Sequence, residues 1–178
     1  KKVTVEDKNG DTRELEAETL LVSVGRRPNT DLLKMENTSI KINEKGFIEV
    51  NEFLETNVPG VWALGDIVGK APFKHAANFE AKHAARNMKE GSEKKAVDYS
   101  MIPHAIFSSP QVAGVGLTEE EAKEKGIAYE IRRHEYKRTG MGKALEEEHG
   151  FIKYIIDPAE DRILGCHILG PQASVLIH

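Results

Sequence analysis

The chain has one cysteine, Cys166, one tryptophan, Trp62, and no apolar run near the roughly 20 residues that cross a bilayer. Each scarcity removes a class of protein. A single thiol can neither close an intrachain disulfide nor build a Cys-rich metal site. Flanked by Ile163, Leu164, Ile168 and Leu169, Cys166 reads as a small core residue of a strand rather than a reactive group. A basic excess is also lacking, with a formal net charge of -4 and no Lys/Arg cluster interleaved with aromatics, so neither nucleic acid nor a membrane is an expected partner. No Gly-x-Gly-x-x-Gly phosphate cradle occurs. His75, His83 and His104 have no cysteine or carboxylate at zinc-like spacing and read as surface or packing residues, so no metal site is expected. Lys1-Lys2-Val3-Thr4-Val5 lacks the apolar core of a secretory signal, which leaves a cytoplasmic location as the default.

What is present suits a soluble core: 178 residues, 39% hydrophobic and 30% charged, enough for one domain or parts of two. Val3–Glu6 and Arg13–Ala17 flank Asn9-Gly10, a two-residue hairpin signal because both positions tolerate positive φ. Thr19–Gly25 is a nearly continuous apolar run that predicts a strand, ended by Arg26-Arg27-Pro28-Asn29. Gly46–Val50 predicts another. A helix is predicted from about Phe73 to Lys89, stopped by Gly91, with Phe73, Ala77, Ala81, Ala84 and Met88 at helical spacing. From Met101 the pattern turns antiparallel: Ile102–Phe107, a turn at Ser108-Ser109-Pro110, Val112–Gly116, then Tyr129–Arg133, Phe151–Ile156 and Ile163–Leu169. Thr118 with Glu121 forms a capping box for a short helix that Gly126 ends.

The most informative segment runs from Glu55 to Asp66, where a turn leads into the apolar run Val61–Leu64 and then Gly65-Asp66. A parallel-type strand is the expectation. Gly65 would let backbone approach a ligand without a Cβ in the way, and Asp66 beyond the strand end could bind polyol hydroxyls. A plain Gly-Asp turn is the alternative. The helix that follows would aim unpaired N–H groups and its positive dipole end at whatever Asp66 touches.

This segment resembles the second flavin-binding motif of the FAD-dependent class I pyridine nucleotide-disulfide oxidoreductases, with Thr56, Val61, Trp62, Ala63, Gly65 and Asp66 as its residues. The resemblance implies that Asp66, with Gly65, binds the ribitol chain of FAD, and that Pro72, Phe73, Lys74 and His75 line the flavin, with Phe73 and Lys74 departing from the commoner Leu-Ala. Val24–Asn29 is similar to the family's crossover out of its nicotinamide domain. Gly25 thereby inherits a contact with NAD or NADP, or is simply a strand-ending glycine. Pro103–Pro110, Val115–Glu119 and Leu164–Pro171 resemble recurring phrases of the family's dimerisation domain. Gly140–Ala144 falls where members approach the partner subunit or substrate channel, although glycine flexibility explains it equally well.

The implied fold is α/β and α+β: the end of a two-dinucleotide-binding-domain (FAD/NAD) fold followed by an incomplete α+β dimerisation domain. Its expected divisions are residues 1–27, the end of the NAD-binding domain; 28–100, the returning segment of the FAD-binding domain; and 101–178, the dimerisation domain, which would form a homodimer. The family's redox cysteine pair and His-Glu pair have no match here, so no catalytic residue is assigned and His178 is not the family's catalytic histidine. The expectation is a fragment of a larger flavoenzyme, inactive alone and a poor binder of FAD. Within the family the phrases are most similar to the dihydrolipoamide dehydrogenase branch, whose substrates are dithiols or disulfides, free or on lipoyl domains. Mycothiol-disulfide and mercuric reductases are the alternatives, and a non-catalytic dimerisation module is the contrasting class.

Overall fold

In the computed structural model, which describes residues 1–178, the chain opens with the predicted hairpin, β1 (Lys2–Glu6) paired antiparallel with β2 (Thr12–Glu16). Its connection is wider than the two-residue turn expected. The Asp7 carboxylate accepts from the N–H groups of Asn9 and Asp11, so a side chain organises five residues, Asp7 to Asp11, between the strands.

Three further expectations change. Thr19–Gly25 has no regular structure, and Leu21 and Val24 are 88% and 92% exposed. A strand needs a neighbour to pair its N–H and C=O groups, and no segment of this chain lies beside it. Gly46–Val50 and Val61–Leu64 shrink to the single antiparallel bridges Ile42↔Ile48 and Glu55↔Trp62, so the run before Asp66 is not a parallel strand. Here side chains satisfy backbone that a sheet would otherwise pair. Asn51 Oδ1 accepts from the N–H groups of Phe53 and Glu55, Asn57 ties Lys41 N–H to the Ser39 carbonyl, and the Thr56 hydroxyl donates to the Val61 carbonyl. Two small cores fill the space: Ile48 with Ala63 and Val68, and Leu54 with Ala84 and Val97.

The predicted helix forms as α1 (Lys74–Asn87), and its buried face is Ala76, Glu80, Ala84 and Asn87. Of the apolar stripe read from the sequence, only Ala84 belongs to that face. Two polar residues, Glu80 and Asn87, displace the stripe because each meets backbone groups inside.

The remaining strands make one five-stranded antiparallel sheet in the order β3-β4-β7-β6-β5, from β3 (His104–Ile106), β4 (Gln111–Gly116), β5 (Glu130–Glu135), β6 (Phe151–Asp157) and β7 (Arg162–Gly170). Between β4 and β5, α2 (Glu119–Glu124) starts with both arms of the capping box: Glu121 N–H donates to Thr118 Oγ1 and Thr118 N–H to the Glu121 carboxylate. On one face Ala113, Tyr136, Ile168 and Ala173 form the core, the last from α4 (Ala173–Leu176). Cys166 sits half-buried on β7, and burial pushes its thiol pKa up. Gly140–Ala144 is the helix α3 and not a flexible loop; a Cβ at Gly142 would lie 1.8 Å from the Tyr136 carbonyl oxygen, so the glycine permits close packing.

Candidate functional site

The Gly65-Asp66 turn is built from three directions. Gly65 opens a 3₁₀ turn, Gly65–Val68, at φ +78°, a conformation that an L side chain rarely adopts. Its N–H points inward and donates to the carboxylate of Glu80 on α1, whose other oxygen accepts from the Tyr99 hydroxyl at 2.7 Å. Burial, reinforced by that carboxylate, pushes the tyrosine pKa up, so the hydroxyl stays a donor. Asp66 faces outward.

Its Oδ2 accepts from Arg26 Nη1 at 2.8 Å, and the same nitrogen lies 3.2 Å from the Pro72 carbonyl oxygen. Both partners are largely exposed, 69% for the arginine side chain and 56% for the aspartate, so the pair contributes at most about 1 kcal/mol. Its geometric effect is larger. One guanidinium ties the segment after Gly25 to both ends of the turn that leads into α1. The hollow beside it, about 510 Å³, is lined by Gly25, Arg26, Pro28, Phe47, Asp66 and Pro72 among others.

The expected site residues therefore divide. Gly25, Asp66 and Pro72 share the hollow, whereas Phe73, Lys74 and His75 form the start of α1. The Phe73 ring stacks on His75, 5.5 Å between centroids and 11° between planes, and His75 Nε2 lies 2.7 Å from the Pro103 carbonyl oxygen. His178 meets the same imidazole edge-on at 5.7 Å. Lys74 is exposed. Phe73 caps α1 with extended backbone and no side-chain hydrogen bond, and the first turn holds no acidic residue, so the helix start keeps its free N–H groups and positive end. Sequence reasoning passed over Arg26, Glu80 and Tyr99. A polar residue on the buried stripe of a helix was the available signal for Glu80; Arg26 stood inside a turn phrase and gave none.

Residues 1–91 match the model of the pyridine nucleotide-disulphide oxidoreductases, and residues 102–178 match the dimerisation domain of the same proteins. The chain belongs to the pyridine nucleotide-disulphide oxidoreductase family. It is 41% identical to the dihydrolipoyl dehydrogenase of Trypanosoma brucei brucei over 97% of this chain and 36% of that protein. Against the dihydrolipoyl dehydrogenase of Geobacillus stearothermophilus the identity is 40%, over 95% of this chain and 36% of the relative. The chain thus spans about a third of the length of these curated relatives. The HOCl-induced flavoprotein disulfide reductase RclA of Escherichia coli superposes with a TM-score of 0.83 at 28% identity, over 99% of this chain and 40% of that one. LpdA of Mycobacterium tuberculosis shares the fold, with a TM-score of 0.84 at 24% identity, over 98% of this chain and 37% of its own.

Enzymes of this family work with FAD and NAD(H). The donor set suits a flavin dinucleotide. Asp66 Oδ1 has no protein donor and can accept from a hydroxyl, the Pro72 carbonyl borders the same hollow, and the uncapped start of α1 can face an electron-rich ring edge.

Proposed function

We propose that the protein acts as an FAD-dependent dihydrolipoyl dehydrogenase, oxidising a dithiol to a disulfide and passing the reducing equivalents to NAD. The observation that carries this is the match to proteins of that name across nearly the whole chain, at 41% identity. In this reading Asp66 and Gly65 hold the ribitol chain, Pro72, Phe73, Lys74 and His75 border the flavin, and Gly25 lies towards NAD or NADP. FAD, when bound, supplies the centre that exchanges a hydride with the nicotinamide and electrons with the sulfur pair. This chain's own residues bind and orient: the Asp66 carboxylate accepts a hydroxyl, and the α1 start offers N–H groups and a positive dipole end where reduction adds charge.

Residues 1–27 complete the NAD-binding domain, 28–100 return to the FAD-binding domain, and 101–178 form the surface through which two copies make a homodimer. The match of residues 102–178 to a dimerisation domain supports that assignment. The substrate is a small dithiol or a lipoyl domain, and the compartment is the cytoplasm. No helix is long and apolar enough to cross a membrane.

The test is NAD reduction by the purified full-length protein with dihydrolipoamide, read together with the visible flavin bands. Flavin bands with turnover on dihydrolipoamide are the expected result. A colourless protein would overturn the reading, and a flavoprotein that oxidises NADH or NADPH with a low-molecular-weight disulfide but ignores dihydrolipoamide would redirect it to disulfide reduction, as the likeness to a flavoprotein disulfide reductase allows.

A further inference from the structure

Glu80 is the one charged residue among the buried side chains, at 0% exposure. A carboxylate in the interior is costly unless its oxygens are hydrogen-bonded, and an apolar residue at this helix position would pack without that cost. No cation pairs with it. Its two oxygens instead take the Gly65 N–H, 15 residues earlier, and the Tyr99 hydroxyl, 19 residues later. The carboxylate thus joins three things: the turn that presents Asp66, the helix α1 that follows that turn, and the segment that leads towards β3.

The direction of Asp66 depends on Gly65. With φ at +78° the peptide preceding Gly65 turns its N–H into α1, and the following residue is thrown outward to the hollow. A glycine has no side chain to hold that orientation, so the acceptor on its N–H must do it.

We propose that Glu80 is a positioning residue for the cofactor: its buried carboxylate, steadied by Tyr99, fixes Gly65 and so aims Asp66 and the start of α1 at one flavin. The inference rests on the FAD-binding reading above. Glu80 touches no ligand itself. It acts through Gly65 and Asp66, and loss of its carboxylate frees the turn while leaving Asp66 chemically intact.

The experiment is titration of the full-length apoprotein with FAD, following flavin fluorescence for Kd and visible circular dichroism for ring orientation. Glu80→Ala is expected to raise Kd on the order of tenfold to a hundredfold and to alter the visible dichroism. Glu80→Gln keeps an acceptor for Gly65 and an amide for the Tyr99 oxygen, so it is expected to restore Kd to within about threefold of the wild type. Tyr99→Phe strips one donor from the carboxylate and is expected to fall between them. If Glu80→Ala fails to fold, Tyr99→Phe and Glu80→Gln decide. Wild-type Kd and dichroism in Glu80→Ala or, failing that, in Tyr99→Phe would overturn the inference, even with a lowered Tm. If Asp66→Ala weakens FAD binding and Glu80→Ala does not, the inference alone fails; if the wild type binds no FAD, the reading beneath it fails too.

Discussion

Residues 17–73 and the sheet of β3 to β7 solve the same problem in opposite ways. The sheet pairs its backbone through four antiparallel pairings and buries apolar side chains on both faces, Ile168 on one and Ile155 on the other. The earlier region has two isolated bridges and three 3₁₀ turns, and it satisfies backbone with side chains such as Asn51, Asn57 and Thr56. A ladder is repetitive and spreads its stabilisation; a side-chain clasp is local and depends on one residue. The candidate site lies in the second kind of region. Gly65 and Asp66 owe their placement to Glu80 and Arg26 rather than to a strand end.

The largest expected effect breaks the sheet side of this contrast. Ile155 is 0% exposed, and Ile155→Ala is expected to cost about 2–5 kcal/mol, measured by urea unfolding of the full-length protein. Loss below about 1 kcal/mol would mean that the sheet does not carry the stability of its half. Next comes Asn51→Ala, which removes the acceptor of two backbone N–H groups and a donor to Glu55; about 1–2 kcal/mol is expected in the same assay. Ile42→Ala serves as its control. That side chain is 45% exposed, so a larger loss there would show that apolar burial, and not clasping, holds the region.

A smaller effect appears with pH. A hydrogen bond from Lys153 Nζ at 2.7 Å holds the Glu119 carboxyl below its ordinary pKa of 4.5, pinning α2 to β6. Because the folded pKa is depressed, the stabilisation is complete above the unfolded value and fades as pH falls through the folded one. Lys153→Met should therefore lower Tm at pH 7, with the gap to the wild type closing below about pH 4.5. A gap that does not narrow as the pH falls below 4.5 would assign the loss to packing of the lysine stem. The smallest change in stability is expected from Arg26→Ala, at most about 1 kcal/mol, since its pair with Asp66 is exposed. High salt should shrink it further, as a thermal melt with and without 1 M salt would show.

How much of this was legible depended on the range of each signal. The apolar runs of β4, β6 and β7 and the Thr118 capping box were readable because every residue involved lies within a few positions. The run Thr19–Gly25 was misread for the complementary reason: its apolar pattern is that of a strand, but pairing is a property of neighbours that the pattern does not contain. Gly140–Ala144 looked flexible because two glycines usually are, whereas the Tyr136 carbonyl against Gly142 is a contact that composition does not encode. Asp66 could be picked out as the residue after a glycine and an apolar run; its guanidinium partner, 40 positions away, could not.

The sequence by itself determined the sheet's strands, the helix after Asp66, the family of the chain and the identity of the outward-facing carboxylate. Only the tertiary structure decided what holds that carboxylate in place. The reason is physical: periodicity, caps and turn residues act over one or two turns of chain, but a buried glutamate is satisfied by whichever N–H and hydroxyl the whole fold brings to it.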